Sequence, residues 1–150
     1  MKDKAEKWLE ERAQEIGNIW EGYIFGKIES SECESPIEEL FLVEWYFQNE
    51  IYDTEYSIKP QYKINNYRVD FMISIPNKEN ILIVELDSYL WHGSKPEQFA
   101  KEKERERWLK KEGWDVMRFS GREIYKDVIN CVTEVIEYIN EIEIKLKEKK

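Results

Sequence analysis

Residues 83–93 read IVELDSYLWHG, and this stretch decides how the rest of the chain is interpreted. An apolar run that starts at Ile81 ends in two carboxylates, Glu85 and Asp87, one residue apart. His92, the single histidine of the chain, follows five residues after the second carboxylate. A largely apolar run of this length predicts a central strand. Two acids at the end of a buried strand therefore need a physical reason.

Two further strands are predicted before this one. The segment YSIKPQYKI (56–64) predicts an irregular strand, and its Pro60 indicates an edge or a bulge because proline cannot donate a ladder hydrogen bond. The segment 67–75 predicts the next strand. Asn65-Asn66 and residues 76–80 carry the turn signals between the strands. The three strands are therefore expected to form a meander.

Helices and a fourth strand are predicted around this meander. They are a helix at 3–16, a helix from Ser35-Pro36 to about Asn49, a charged helix at 96–112 stopped by Gly113, a strand at 115–119 and a helix from Glu123 to about Lys147. A helix between two strands implies that those strands are parallel. The sequence thus predicts an α/β fold with a mixed β-sheet flanked by α-helices, in the order helix-strand-strand-strand-helix-strand-helix, plus an extra N-terminal helix. We expect residues 1–34 to form a helical extension and residues 35–150 to form the main domain.

The composition bounds the class of protein. A chain of 150 residues fits one domain with a sizeable core, and 14% aromatic residues argue against disorder. No apolar run approaches the ~20 residues that span a bilayer, and the charged N-terminus has no signal core. Cys33 and Cys131 are far apart and lack metal-type spacing. We expect a reduced, cytoplasmic protein without membrane association.

The net charge of −9 argues against nonspecific attraction to nucleic acid. The charge is unevenly distributed, however, because residues 59–126 contain 14 Lys/Arg against 11 Asp/Glu. The middle of the chain is therefore not repulsive to a polyanion, although it is no strong basic patch.

The two acids of the central strand are expected to meet a third. Side chains alternate along a strand, so Glu85 and Asp87 point to one side, roughly 7 Å apart at ~3.4 Å per residue. In the preceding strand, Asp70 points away from the face that is formed by Val69, Phe71, Ile73 and Ile75. A hairpin centred near residues 77–78 then brings Asp70 opposite the pair.

Three carboxylates close together on a half-buried face are costly as bare anions. A divalent cation removes this cost, and magnesium accepts one or two carboxylates while keeping waters. Such an ion polarises a phosphoryl oxygen and lowers the pKa of a bound water. We therefore expect Asp70, Glu85 and Asp87 to hold Mg²⁺ or Mn²⁺ for phosphodiester hydrolysis.

Four segments of the chain resemble one family of nucleases. They are SPIEELF (35–41), QYKINNYRVDF (61–71), IVELDSYLWHG (83–93) and ERERWLKKEGWDVMRFSGREI (104–124). They resemble the very-short-patch-repair-like endonucleases, a branch of the PD-(D/E)XK, or restriction-endonuclease-like, nucleases. The resemblance covers about residues 35–130. It implies a restriction-endonuclease-like fold, a Mg²⁺-type cofactor, a DNA substrate and endonuclease activity.

The resemblance also implies roles for particular residues. Asp70 in RVDF matches the metal-binding aspartate, and Glu85 and Asp87 match the acidic pair that closes the next strand. Glu38 in SPIEE matches the helix glutamate that leans toward the metal site. His92 matches the histidine that follows the acidic strand, which handles proton transfer.

Two polar residues lie where relatives often have polar groups near the site. They are Gln61 and Arg105, which are both expected to bind substrate. Arg105 is expected either to contact phosphate or to orient a site carboxylate. The chain also departs from the wider superfamily, which has Glu-x-Lys where this sequence has Glu85-Leu86-Asp87. Ser88 replaces a frequent glycine, and the zinc-binding cysteines of the repair enzyme have no counterpart. Mismatch specificity is therefore not inherited.

Several residues have a plainer structural interpretation. Glu38 can complete a capping box with Ser35, and His92 can simply pack beside Trp91. The alternating charges of residues 101–112 are typical of a solvated helix face. The alternative function is therefore a catalytically inactive nuclease-fold module that binds DNA or another protein. A chain with one site would have to form a homodimer to cut both strands at once.

Overall fold

The computed structural model describes residues 3–87 and 95–149 of the chain. Its elements are α1 (Lys4–Glu29), α2 (Pro36–Ile51), β1 (Ser57–Ile64), β2 (Tyr67–Ile75), β3 (Lys78–Asp87), α3 (Pro96–Lys111), β4 (Val116–Ser120) and α4 (Gly121–Glu148). This order, with a mixed sheet and an additional N-terminal helix, confirms the predicted restriction-endonuclease-like α/β fold. None of the helices in the described ranges is long and apolar enough to cross a membrane.

The chain divides into two compact units, the first ending at Ser31 and the second beginning at Glu32. The first unit consists of α1, which begins at Asp3, whose side chain accepts a hydrogen bond from the backbone N–H of Glu6. The sequence predicted that this helix ends near residue 16, but it continues to Glu29. Apolar residues at helical spacing extend beyond the predicted end and outweigh the three glycines in that segment.

The second unit contains a four-stranded sheet in the order β1-β2-β3-β4. The β1–β2 and β2–β3 pairs are antiparallel, and the β3–β4 pair is parallel, as the predicted helical crossover requires. β1 lies at an edge, which suits its Pro60 because a proline cannot donate to a second neighbour. β3 lies inside the sheet, as its apolar sequence predicted.

Asparagines make both hairpin turns, because asparagine tolerates the left-handed conformation better than most residues. Asn65 has φ of 55° between the closing pair of β1 and β2, and Asn77 has φ of 63° between β2 and β3. The second turn is shorter than predicted, since β3 begins at Lys78 rather than at Ile81. The register shifts between Ile73 and Ile75, so a bulge absorbs the extra residues.

Side-chain caps fix the starts of the helices that support the sheet. Ser35 accepts a hydrogen bond from the backbone N–H of Glu38 at 3.3 Å, and Pro36 opens α2 as predicted. α4 starts two residues earlier than predicted, behind a capping box between Ser120 and Glu123. It also carries a kink at Asp127, whose side chain accepts from the N–H of Asn130 and so caps the continuing helix.

The core has two layers on opposite faces of the sheet. On one face, Phe71 of β2 stacks on Phe41 of α2, with ring centroids 5.2 Å apart. On the other face, Leu109 of α3 belongs to a buried cluster with Met72 and Ile83. Trp108 and Trp114 pack against this second cluster.

Candidate active site

Asp70 and Glu85 are neighbours on adjacent strands. The β2–β3 register pairs Phe71 with Val84, so the next position pairs Asp70 with Glu85. Both line a cavity of about 440 Å³ in the second unit. The other lining residues are Glu34, Ser35, Glu38, Arg68, Leu86, Asp87, Glu102 and Arg105. Asp70 and Glu85 therefore lie opposite each other, as the predicted hairpin required.

The strand alternation behind that prediction is wrong at one point. Val69 and Phe71 were expected to share a face, yet Val69 belongs to the cluster of Leu109, whereas Phe71 stacks on α2. The alternation breaks at Asp70, opposite which Gln61 has φ of 50°. A glutamine in this left-handed conformation stores roughly 1–3 kcal/mol of strain, and such strain is common at functional sites.

The environment of Asp70 disfavours its charged form. Burial raises the pKa of Asp70 to about 8, and the negative charge of Glu85 and a hydrogen bond with it act in the same direction. The charge of Glu38 adds a smaller increase. One opposing contact lowers the pKa, because the backbone N–H of Leu86 donates to Oδ2 of Asp70 at 2.8 Å. In the free protein, therefore, no positive charge fully compensates an ionised Asp70.

Glu85 is only 4% exposed and forms an ion pair with Arg105. The same guanidinium binds Glu102, with Nη2 at 2.7 Å from Oε1, and Nη1 donates to the carbonyl of Arg68 at 3.4 Å. Burial lowers the pKa of Arg105, but the bonds to Glu102 and the charge of Glu85 outweigh burial and raise it. Of the two predicted roles of Arg105, these contacts match the orientation of a site carboxylate.

Glu38 reaches the site from the first turn of α2 and is 6% exposed. Its Oε2 accepts hydrogen bonds from the backbone N–H of Glu34 and from Nε2 of Gln61, both at 3.0 Å. The capping-box interpretation is thus wrong in detail, because the carboxylate binds one residue before the cap. Gln61, predicted to bind substrate, holds Glu38 through this bond.

Asp87 lies at the outer end of β3 and has a different partner. Its Oδ1 accepts from Nη1 of Arg118 at 3.3 Å, and the same arginine contacts Glu102 and Glu106. Asp87 is half exposed, whereas Glu85 is buried. Within the described ranges no three His, Cys, Asp or Glu side chains converge as an ion site. The structure therefore brings together Asp70 and Glu85, with Asp87 at the rim.

Sequence reasoning missed three residues of this site: Arg118, Arg68 and Glu102. The parallel register pairs Arg118 with Glu85, so the predicted β3–β4 crossover contained the signal. Arg68 lies two residues before Asp70 and lines the same cavity. His92, the predicted proton-transfer residue, lies outside the described residues.

A family model described as REase_MTES_1575 matches residues 44–139, which is more than half of the chain. The matched range includes Asp70, Glu85 and the arginines around them. It is a restriction-endonuclease-like family. No curated protein matches the chain at a significant level.

Proposed function

The chain belongs to this restriction-endonuclease-like family, and from that premise we propose that it is an endonuclease that hydrolyses phosphodiester bonds of DNA with Mg²⁺ or Mn²⁺. The single observation that carries the proposal is the pair of neighbouring carboxylates, Asp70 and Glu85, in a cavity. The very-short-patch-repair-like branch is part of the proposal and rests on the motifs of residues 35–124.

Asp70 and Glu85 fit a hard divalent cation. One oxygen of each carboxylate already has a fixed partner, since Leu86 donates to Oδ2 of Asp70 and Arg105 to Oε1 of Glu85. This arrangement orients both groups, and a shared cation would take the place of the proton that links the two carboxyl groups in the free protein. A bound ion would supply Lewis-acid stabilisation of the phosphoryl oxygens and a more acidic water.

The ion pair of Arg105 does not by itself satisfy the site. The guanidinium carries one positive charge and shares it between Glu85 and Glu102. Asp70 keeps a pKa raised to about 8 although this arginine is close by. A cation between Asp70 and Glu85 would relieve both the desolvation and the repulsion.

The surrounding residues have supporting roles in this proposal. Arg105 keeps Glu85 oriented, Glu38 contributes a further buried carboxylate to the cavity, and Gln61 holds Glu38. Asp87 binds Arg118 through Oδ1 and lies at the rim of the cavity, where it would offer the ion a third carboxylate. His92 transfers a proton to or from the reacting oxygens, which stays a prediction from the sequence.

The test is plasmid nicking by purified protein with Mg²⁺ or Mn²⁺. Asp70→Asn and Glu85→Gln are expected to abolish nicking, because each removes a ligand charge without changing shape. Glu79→Gln is a matched control, since Glu79 is an exposed acid at the opposite end of β3. Nicking that persists unchanged in Asp70→Asn would not depend on the carboxylate pair and would refute the proposal, as would no nicking at all.

A second candidate function is a nuclease-fold module that binds DNA or protein without turnover. The observation in its favour is the ion pair between Arg105 and Glu85, because a fixed guanidinium can take the position of a cation. This candidate predicts no metal binding by the unchanged protein. Calorimetric titration with Mn²⁺ separates the two, since the nuclease must bind the ion and Asp70→Asn must not.

A further inference from the structure

Arg68 is the exposed arginine of the acidic cavity. Two arginines line the cavity in the described chain, and their side chains differ sharply in exposure: 60% for Arg68 and 12% for Arg105. Arg105 is already engaged by two carboxylates, so it has little capacity for a new anion. An anion that approaches Asp70 and Glu85 from solvent therefore meets Arg68 first.

The ion pair that Arg68 makes in the free protein is an exchangeable one. Its Nη1 lies 3.1 Å from Oε1 of Glu34, and the Glu34 side chain is itself 62% exposed. Exposed pairs of this kind contribute ~0–1 kcal/mol, because water competes for both charges. A phosphate can accept two parallel hydrogen bonds from a guanidinium, whereas Glu34 accepts one from Arg68. Glu34 can therefore be displaced by substrate.

The backbone under Arg68 is fixed. Its carbonyl accepts from Arg105, and its position in β2 pairs with Lys63 of β1. Directly opposite residues of an antiparallel pair have Cβ atoms ~4.5–5.5 Å apart, so the two cations are neighbours. Along β2, Arg68 lies two residues from Asp70, a span of roughly 7 Å. Arg68 thus lies beside the carboxylate pair, and Lys63 adds a second positive charge next to Arg68.

We propose that Arg68 and Lys63 form a binding subsite for the phosphate backbone of DNA, and that Glu34 occupies Arg68 until a phosphate replaces it. The subsite rests on the proposed function, because it would hold one phosphate of a DNA strand while the next phosphate lies at Asp70 and Glu85. The chain has a net charge of −9, so its overall charge does not attract DNA, and the local pair of positive side chains supplies that attraction.

The first experiment measures binding of a short fluorescent DNA duplex in EDTA, where no hydrolysis occurs, over a series of salt concentrations. Arg68→Gln is expected to weaken binding and to reduce the slope of log affinity against log salt by about one. Lys63→Gln should have a similar effect, and Arg68→Lys should keep the slope. Lys78→Gln is the control, because Lys78 is an exposed lysine at the opposite end of β3.

The second experiment tests a substitution that should strengthen DNA binding. Glu34→Gln is expected to raise the affinity for the duplex several-fold, because it frees Arg68 and removes a negative charge near the strand. When Glu34→Gln is combined with Arg68→Gln, this gain in affinity should shrink, since the ion pair that Glu34→Gln breaks is already absent. Glu32→Gln is the matched control for the charge alone, being an exposed acid two residues away.

The outcomes separate the subsite from the nuclease activity. An Arg68→Gln protein that binds DNA like Lys78→Gln overturns the subsite, as does an unchanged protein without measurable DNA binding. A normal subsite in a protein that never nicks plasmid refutes the proposed function alone. In a Mg²⁺ assay, Arg68→Gln should raise KM with little change in kcat, because the contact is equally present in the ground and transition states.

Discussion

Asp70 and Glu85 lie side by side on two antiparallel strands, and burial makes their joint ionisation unfavourable. The guanidinium nearest to them is shared with Glu102, so the compensation is incomplete. The consequence is a group that titrates near neutral pH in the free protein. That property gives a measurement that does not depend on knowing the substrate.

The first prediction concerns the stability of the metal-free protein. The pKa of Asp70 is raised from 3.8 to about 8 in the folded state, so the folded protein holds this proton more tightly than the unfolded chain. Its contribution to stability is full below pH 3.8 and is lost as the pH rises toward 8. Urea denaturation in EDTA at a series of pH values should show this loss.

Asp70→Asn supplies the control, because asparagine does not titrate. The difference in unfolding free energy between the variant and the unchanged protein should grow in favour of the variant from about pH 4 to pH 8. A difference that stays constant with pH would show that Asp70 titrates normally, contrary to its burial.

The second prediction concerns metal. Mg²⁺ or Mn²⁺ should raise the melting temperature of the unchanged protein at neutral pH, because the ion binds only the folded pair. Binding should also release protons, since Asp70 with a pKa of about 8 is largely protonated at neutral pH and must ionise. Titrations in buffers of different ionisation enthalpy measure the protons released. Equal heats in all buffers would contradict this prediction.

The third prediction concerns Arg105. Arg105→Gln leaves the buried carboxylate of Glu85 without its partner, and breaking a buried pair in this way costs about 3–5 kcal/mol. Lys103→Gln on the same helix breaks an exposed pair with Glu106 and should cost less than about 1 kcal/mol. Urea denaturation in EDTA compares the two variants.

Metal should then restore part of the loss in Arg105→Gln, because the ion supplies the missing charge at Glu85. If this arginine instead replaces the ion, the variant should bind Mn²⁺ while the unchanged protein does not. That result would favour the inactive module over the nuclease.

Much of the fold could be predicted because its signals are local. Asn65 and Asn77 mark both hairpins through their positive φ, and Ser35 with Pro36 marks the start of α2. The turn signals and the apolar β3 predicted the order of the strands, and the helix between β3 and β4 predicted their parallel pairing. The length of α1 was missed, because the glycines in its second half have a low helix propensity.

The site was predicted only in part, because its decisive contacts are not local. The charges of α3 were interpreted as a solvated face, and Arg105 does bind Glu102 three residues away. The same arginine also reaches Glu85, 20 residues away, which no helical spacing indicates. The left-handed conformation of Gln61 was also invisible, since glutamine is not a residue that signals it.

The last prediction decides what Glu38 does. Glu38→Gln keeps the size of the side chain and an acceptor oxygen for Gln61, so its stability should stay close to that of the unchanged protein. Glu38→Ala removes the acceptor for both Gln61 and the N–H of Glu34 and should cost about 1–3 kcal/mol. If the carboxylate also supports the ion, Glu38→Gln should lower Mn²⁺ affinity or nicking 10–100-fold, the usual range for groups behind metal ligands. Glu39→Gln, at the exposed neighbouring position, controls for the lost charge. Full affinity and full nicking in Glu38→Gln would mean that Glu38 only anchors the start of α2.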